Sequence, residues 1–215
     1  MKPEIIINPD GTHSARFGDV TLPVTMTRER SYTGLGVQSD AHRDLYRHAI
    51  TSLRQLPNIH RVIDSPCGSG YGSDMLSRHW GVTGIDMSSE AVAFAKHRAP
   101  RCRIMPMDMS DGDAMRVVLG TETNDAIVSI EGLEHVPDPA ALLATFHALL
   151  RPGGVLFFST PDKHQSGASE GNPNPHHPHE LDRAELFDGL RFAGFRRVAW
   201  LSTEDSPTIM GVAER

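Results

Sequence analysis

Cysteine is nearly absent from this sequence. The two that occur, Cys67 and Cys102, form no CxxC pair, which excludes a disulfide framework and a cysteine-built zinc site and suits a reducing compartment. Long apolar runs are missing as well: none approaches the roughly 20 residues that span a bilayer, and Met1 to Asp10 lacks the layout of a signal peptide. A cytoplasmic chain with no membrane partner is the expectation. Positive charge is in deficit, with 21 Lys and Arg against 27 Asp and Glu, a net charge of -6 and a pI near 6.0. That balance gives no global attraction to nucleic acid and favours a small-molecule partner. No internal repeat is visible. What remains, 22% charged and 39% hydrophobic residues over 215 positions, describes a soluble globular chain of one domain with a short appendage.

Residues 1–30 read as that appendage: an extended run Glu4 to Ile7, a turn signal at Asn8-Pro9-Asp10-Gly11, and a β-prone stretch from Val20 to Thr27. The main domain is expected over 31–215. Ser39 is placed to cap a helix running to Leu56, with Leu45, Ala49, Leu53 and Leu56 on one face and Pro57 stopping it.

From Arg61 short apolar runs alternate with amphipathic stretches, the signature of βα units in a parallel sheet. Strands are expected at Arg61–Asp64, Val82–Asp86, Arg103–Met107, Ala126–Ile130 and Val155–Ser159. Ser88, Asp138 with Pro139, and the pair Asp182 and Glu185 supply helix starts, and Gly194 supplies a helix end. The runs Phe195–Leu201 and Thr208–Val212 are too close together for a crossover, so they form a hairpin. The fold class that follows is α/β: a Rossmann-like, seven-stranded, mostly parallel sheet with an antiparallel last strand and helices on both faces.

The turn after the first of these strands, Asp64-Ser65-Pro66-Cys67-Gly68-Ser69-Gly70-Tyr71-Gly72, is glycine-rich and opens a helix. Such a loop lets a ligand approach main-chain N–H groups. Asp86, at the end of the next strand, stands where a carboxylate accepts both hydroxyls of a ribose. Asp108, ending the strand after that, is placed to accept from an adenine amino group. Asp64 would repel a diphosphate but tolerate the ammonium of a methionyl group, which points to S-adenosylmethionine.

These segments carry a family resemblance from about Arg61 to the C-terminus. Val62-Ile63-Asp64-Ser65-Pro66-Cys67-Gly68-Ser69-Gly70-Tyr71-Gly72 resembles the first motif of the class I S-adenosylmethionine-dependent methyltransferases, and Gly84-Ile85-Asp86-Met87-Ser88 the second. Asp108-Met109 resembles the adenine-contacting position, and Arg151-Pro152-Gly153-Gly154 the turn before the fifth strand. The resemblance implies cofactor contacts from Gly68, Gly70, Asp86, Met87, Asp108 and Met109, besides Asp64.

The fourth strand runs into Glu131-Gly132-Leu133-Glu134-His135-Val136. Glu131 is expected to face the methionyl part of the cofactor, and Glu134 and His135 the substrate; the alternative for His135 is to orient the loop. The Asn/Asp/Ser-Pro-Pro-Tyr/Phe motif of amino-directed DNA methyltransferases is missing, and Cys67 lies in the cofactor loop, where a small buried residue is a better reading than a nucleophile.

A loop of about twenty residues with no periodicity precedes Asp182, and structureless stretches that long are usually functional or disordered. Its stretch Asn174-Pro175-His176-His177-Pro178-His179-Glu180 resembles the Asn-Pro-Phe-His-Val-Arg-Glu segment of methyltransferases of glycan and surface-sugar pathways, with His176 and His179 departing from it. Three roles compete for these imidazoles: His177 as the base for a substrate hydroxyl, metal ligation by His176, His177 or His179 with Glu180, and a polar lid. The spacing His-His-Pro-His does not set ligands on one helical face, so no metal is expected. His177, His135 and Glu134 are the candidate catalytic residues. The expected activity is methyl transfer to a hydroxyl of a small polar, sugar-like metabolite. N-methylation of a small amine and non-catalytic cofactor binding are the alternatives, and homo-oligomer formation is left open. Aminopropyl transfer would need a further acidic pair, which is not found.

Overall fold

Because successive strand residues point to opposite faces, a strand buried on both sides is apolar at most positions. Asn124–Ile130 is buried along its whole length and lies at the centre of the larger sheet. The computed structural model describes residues 4–7, 13–17, 20–24, 40–165 and 177–215. Ser39, the turn 8–11 and His176 with the rest of 166–175 lie outside the described residues.

Three short strands, β1 (Glu4–Ile7), β2 (His13–Phe17) and β3 (Val20–Val24), form an antiparallel sheet in that order. The strand His13–Phe17 has only Ala15 and Phe17 as alternating apolar positions, too short a pattern to mark a strand in the sequence. Seven further strands follow: β4 (Arg61–Asp64), β5 (Gly81–Asp86), β6 (Arg103–Pro106), β7 (Asn124–Ile130), β8 (Leu150–Pro161), β9 (Arg197–Trp200) and β10 (Thr208–Glu214). They make one sheet in the order β6-β5-β4-β7-β8-β10-β9. All neighbouring pairs from β6 to β8 are parallel, whereas β10 runs antiparallel to both β8 and β9. This is the expected Rossmann-like sheet with its reversed last strand.

The helices among the described residues are α1 (Asp40–Leu53), α2 (Tyr71–Leu76), α3 (Ser89–Arg98), α4 (Gly112–Leu119), α5 (Pro139–Leu149) and α6 (Arg183–Ala193), with a 3-10 turn at Leu133–His135. Two cores form on opposite faces of the sheet. Val62, Ala126, Val128 and Phe157 pack with Tyr46, Ala49 and Leu53 of α1 and Leu76 of α2. Their chain neighbours Ile63, Ile127, Leu156 and Phe158 pack with Met115 of α4, Phe146 of α5 and Leu186 of α6. Ser88 and Asp138 cap α3 and α5 as expected, Asp182 and Glu185 form a capping box on α6, and Gly194 ends it at φ +106. Among the described residues no helix is long and apolar enough to cross a membrane.

Two local expectations are corrected. Helix α1 ends at Leu53, and Leu56 stands in the following turn, 37% exposed; the buried face is Tyr46, Ala49 and Leu53. Strand β8 begins at Leu150, so Arg151-Pro152-Gly153-Gly154 lies within the strand across a register shift opposite Asn124 and Ala126.

Candidate active site

Five parallel strands bring their carboxyl ends to one edge of the sheet, which is where open α/β sheets bind ligands. Asp64, Asp86, Asp108 and Glu131 all stand at or just past such an end.

The glycine loop follows β4. Gly68 (φ +51) and Gly70 (φ +81) take left-handed backbone conformations, and Gly70 caps α2. A Cβ on Gly70 would stand 2.6 Å from the Ala95 Cα of α3, so the close approach of loop and helix requires a glycine. Asp86 ties the loop to β5: its Oδ2 accepts from the Gly68 N–H and its Oδ1 from the Ser88 N–H, both at 2.9 Å. Burial pushes its carboxyl pKa up, while those two N–H groups pull it back. Each oxygen retains a lone pair for a further donor. Beside it Met87 is 74% exposed. Asp108 is exposed, its Oδ1 accepting from the Ser110 N–H and hydroxyl at 2.8 and 2.7 Å. Met109 is half-buried, its sulfur 3.8 Å from the Ser65 hydroxyl.

Asp64 is placed differently from the expectation of a direct ammonium contact. Its carboxylate is wholly buried and accepts from the Tyr46 hydroxyl at 2.8 Å and the Ser73 hydroxyl at 2.6 Å. Burial pushes its pKa up to about 7. With no surface to offer, it braces α1 and α2 against the loop. The Cys67 thiol is also buried and its pKa raised by burial, which keeps it from acting as a thiolate.

Past β7, Glu131 (φ +48) accepts from the Ser159 hydroxyl at 2.8 Å, and burial pushes its pKa to about 7. Glu134, in the 3-10 turn, is 1% exposed and accepts from the Thr160 hydroxyl at 3.0 Å. Burial first, then the negative fields of Glu131 and Glu180, push its pKa well up. The exposed His135 holds Nε2 3.9 Å from Glu134 Oε1. The ring of His177 stands edge-on to His135, centroids 5.0 Å apart, and its Nδ1 lies 2.7 Å from Glu180 Oε1. Glu134, His135 and His177 are thus gathered from two distant segments. His164 goes elsewhere, toward Asp182 at 3.4 Å, and His179 lines a separate cleft with Pro137, Leu143 and Gly189.

The glycine loop and this cluster adjoin, since a Cβ on Gly132 would stand 2.4 Å from Pro66 Cδ. Sequence reasoning missed Tyr46, Ser73, Ser159, Thr160 and also Arg98, which donates to the Ser69 hydroxyl at 2.8 Å. Only Tyr46 carried a signal, its helical spacing with Ala49 and Leu53.

Residues 38–206 match the family model described as methyltransferase domain. A probable S-adenosylmethionine-dependent methyltransferase of Mycolicibacterium smegmatis is 32% identical over 82% of this chain and 68% of that protein. The ubiquinone biosynthesis O-methyltransferase of Coxiella burnetii is 38% identical over 46% of this chain and 42% of that protein. Magnesium protoporphyrin IX methyltransferase from Synechocystis PCC 6803, solved with bound SAH, shares the fold at a TM-score of 0.67 and 20% identity, over 87% of this chain and 93% of that one. Matched over most of its length, the chain belongs to the methyltransferase-domain family and is a class I S-adenosylmethionine-dependent methyltransferase.

Proposed function

We propose that residues 31–215 form the catalytic unit and methylate a hydroxyl of a small, polar, sugar-like acceptor. The observation that carries this reading is the hydrogen bond between His177 and Glu180. These are the two described positions of the Asn-Pro-x-His-x-x-Glu pattern, and they stand beside Glu134 and His135 next to the cofactor loop. The O-methyltransferase relative of Coxiella burnetii lends further support.

The crevice residues fit the cofactor. Gly68 and Gly70 let the loop turn tightly after β4, Asp86 has lone pairs for the ribose hydroxyls, and the exposed Met87, Asp108 and half-buried Met109 offer an apolar and polar border for an adenine. Glu131 borders the methionyl end, and Asp64 holds the loop from behind. Bound there, S-adenosylmethionine supplies a methyl group on a sulfonium sulfur that departs with the bonding electron pair. The chain's own part is to hold an acceptor oxygen in line with that methyl at about 3 Å, which supplies much of the acceleration. As the new O–C bond forms, the hydroxyl proton leaves through the cluster of Glu134, His135, His177 and Glu180.

The test uses methyl-labelled cofactor with a panel of sugar-like hydroxyl compounds and small amines. Label in a base-stable ether is expected. Label on nitrogen alone would replace the hydroxyl assignment with the amine one.

A further inference from the structure

Neighbouring imidazoles within His176–His179 cannot share one ion easily, but the fold assembles another set. Glu134 and His135 arrive from the turn after β7 and His177 from the segment before α6. One ligating atom of each lies within 4.8 Å of the other two. We propose that Glu134, His135 and His177 hold a divalent transition-metal ion, with Glu180 as the outer carboxylate that orients His177.

Two imidazole nitrogens and one carboxylate oxygen suit zinc, manganese, iron, cobalt or nickel rather than magnesium or calcium, which take oxygen ligands. Adjacent ligands of an ion bound at about 2.1 Å stand about 3.0–3.4 Å apart. His135 Nε2 and Glu134 Oε1 are already 3.9 Å apart and no pair among the three exceeds 4.8 Å, so closing on an ion shortens each separation by about 0.5–1.8 Å.

The surroundings are those of a supported site. Glu180 Oε1, 2.7 Å from His177 Nδ1, is placed as the outer carboxylate that fixes the orientation of a ligating imidazole. The Thr160 hydroxyl occupies Glu134 Oε2 and leaves Oε1, the oxygen near His135, free to ligate. Among the described residues neither Glu131 nor Glu134 has a lysine or arginine partner, although Glu134 is 1% exposed. An ion bound there would supply the positive charge that buried carboxyls need in order to ionise. Three protein ligands leave coordination positions open, as catalytic metal sites do.

With the ion bound, the three ligands would no longer take the hydroxyl proton themselves; an acceptor hydroxyl at an open position would instead lose it to bulk water, because the ion lowers the pKa of a bound oxygen. This last point rests on the hydroxyl-acceptor reading; ion binding itself does not.

The experiment titrates chelator-treated full-length protein with Co2+, reading visible d–d absorption and calorimetric stoichiometry, and S-adenosylmethionine affinity in the same preparations. One Co2+ per chain is expected, displaced by Zn2+. Binding should weaken at least tenfold in His177→Ala and in the isosteric Glu134→Gln, about tenfold in Glu180→Gln, and not at all in His164→Ala. Far-UV circular dichroism identifies any variant that has lost its fold, in which case the Glu180→Gln result decides. No Co2+ band, or a band indifferent to all these variants, overturns the proposal. Retained cofactor binding in that event confines the failure to the metal; lost cofactor binding in the untreated protein would instead count against the crevice assignment.

Discussion

Replacing Gly70 by alanine should destabilise the fold far more than the same change at Gly153, although both glycines have a left-handed backbone, at φ +81 and +73. The left-handed conformation costs an L-residue about 1–2 kcal/mol. At Gly153 that is the whole cost, because the nearest atom to an added Cβ is an Arg151 side-chain nitrogen at 3.8 Å. At Gly70 the Cβ would meet the Ala95 Cα at 2.6 Å and Cβ at 2.7 Å. Backbone in a capped helix yields only by moving the loop or α3, an overpacking cost of about 1–3 kcal/mol. Gly70→Ala should therefore lose about 3 kcal/mol and Gly153→Ala about 1 kcal/mol in urea unfolding. In a chain of this size that corresponds to Tm drops of roughly 6–12 °C and 2–4 °C. The displaced loop should also weaken S-adenosylmethionine binding in Gly70→Ala alone. Equal destabilisation of the two variants would refute the claim that α3 backs the loop.

Asp86→Ala should weaken cofactor binding at least tenfold by calorimetry, since it removes the ribose acceptor and orphans the Gly68 and Ser88 N–H groups; unchanged affinity would remove the ribose assignment. His177→Ala should lower turnover more than cofactor affinity, and an equal fall in both would make it a loop residue only. Asp64 has a folded-state pKa of about 7 against an ordinary 3.8. Its contribution to stability is therefore fully present below about pH 4 and lost as pH rises through 7, up to about 4 kcal/mol. Urea midpoints of the wild type and Asp64→Asn should converge or cross over that window, and a constant difference would show that Asp64 does not titrate there.

The layout of the sheet was legible because its signals are local: apolar runs of strand length, capping residues, and glycines where the chain must turn. The same locality made Gly68, Gly70 and Asp86 readable as a unit, since a βα turn and the next strand end are neighbours in any such sheet. His13–Phe17 was not legible, its alternation resting on Ala15 and Phe17 alone, and Arg151–Gly154 looked like a turn, whereas it lies inside β8 between Leu150 and Val155, the residues that pair with Asn124 and Ala126.

Sequence by itself determined the α/β order, the glycine loop and the family, because backbone conformation and side-chain periodicity are encoded over a few residues. Tertiary structure alone decided that Asp64 faces Tyr46 and Ser73, and that His177 meets Glu180 beside His135 and Glu134. Those meetings depend on how α1 lies on the sheet and where the chain returns before α6, and packing of distant apolar faces sets both.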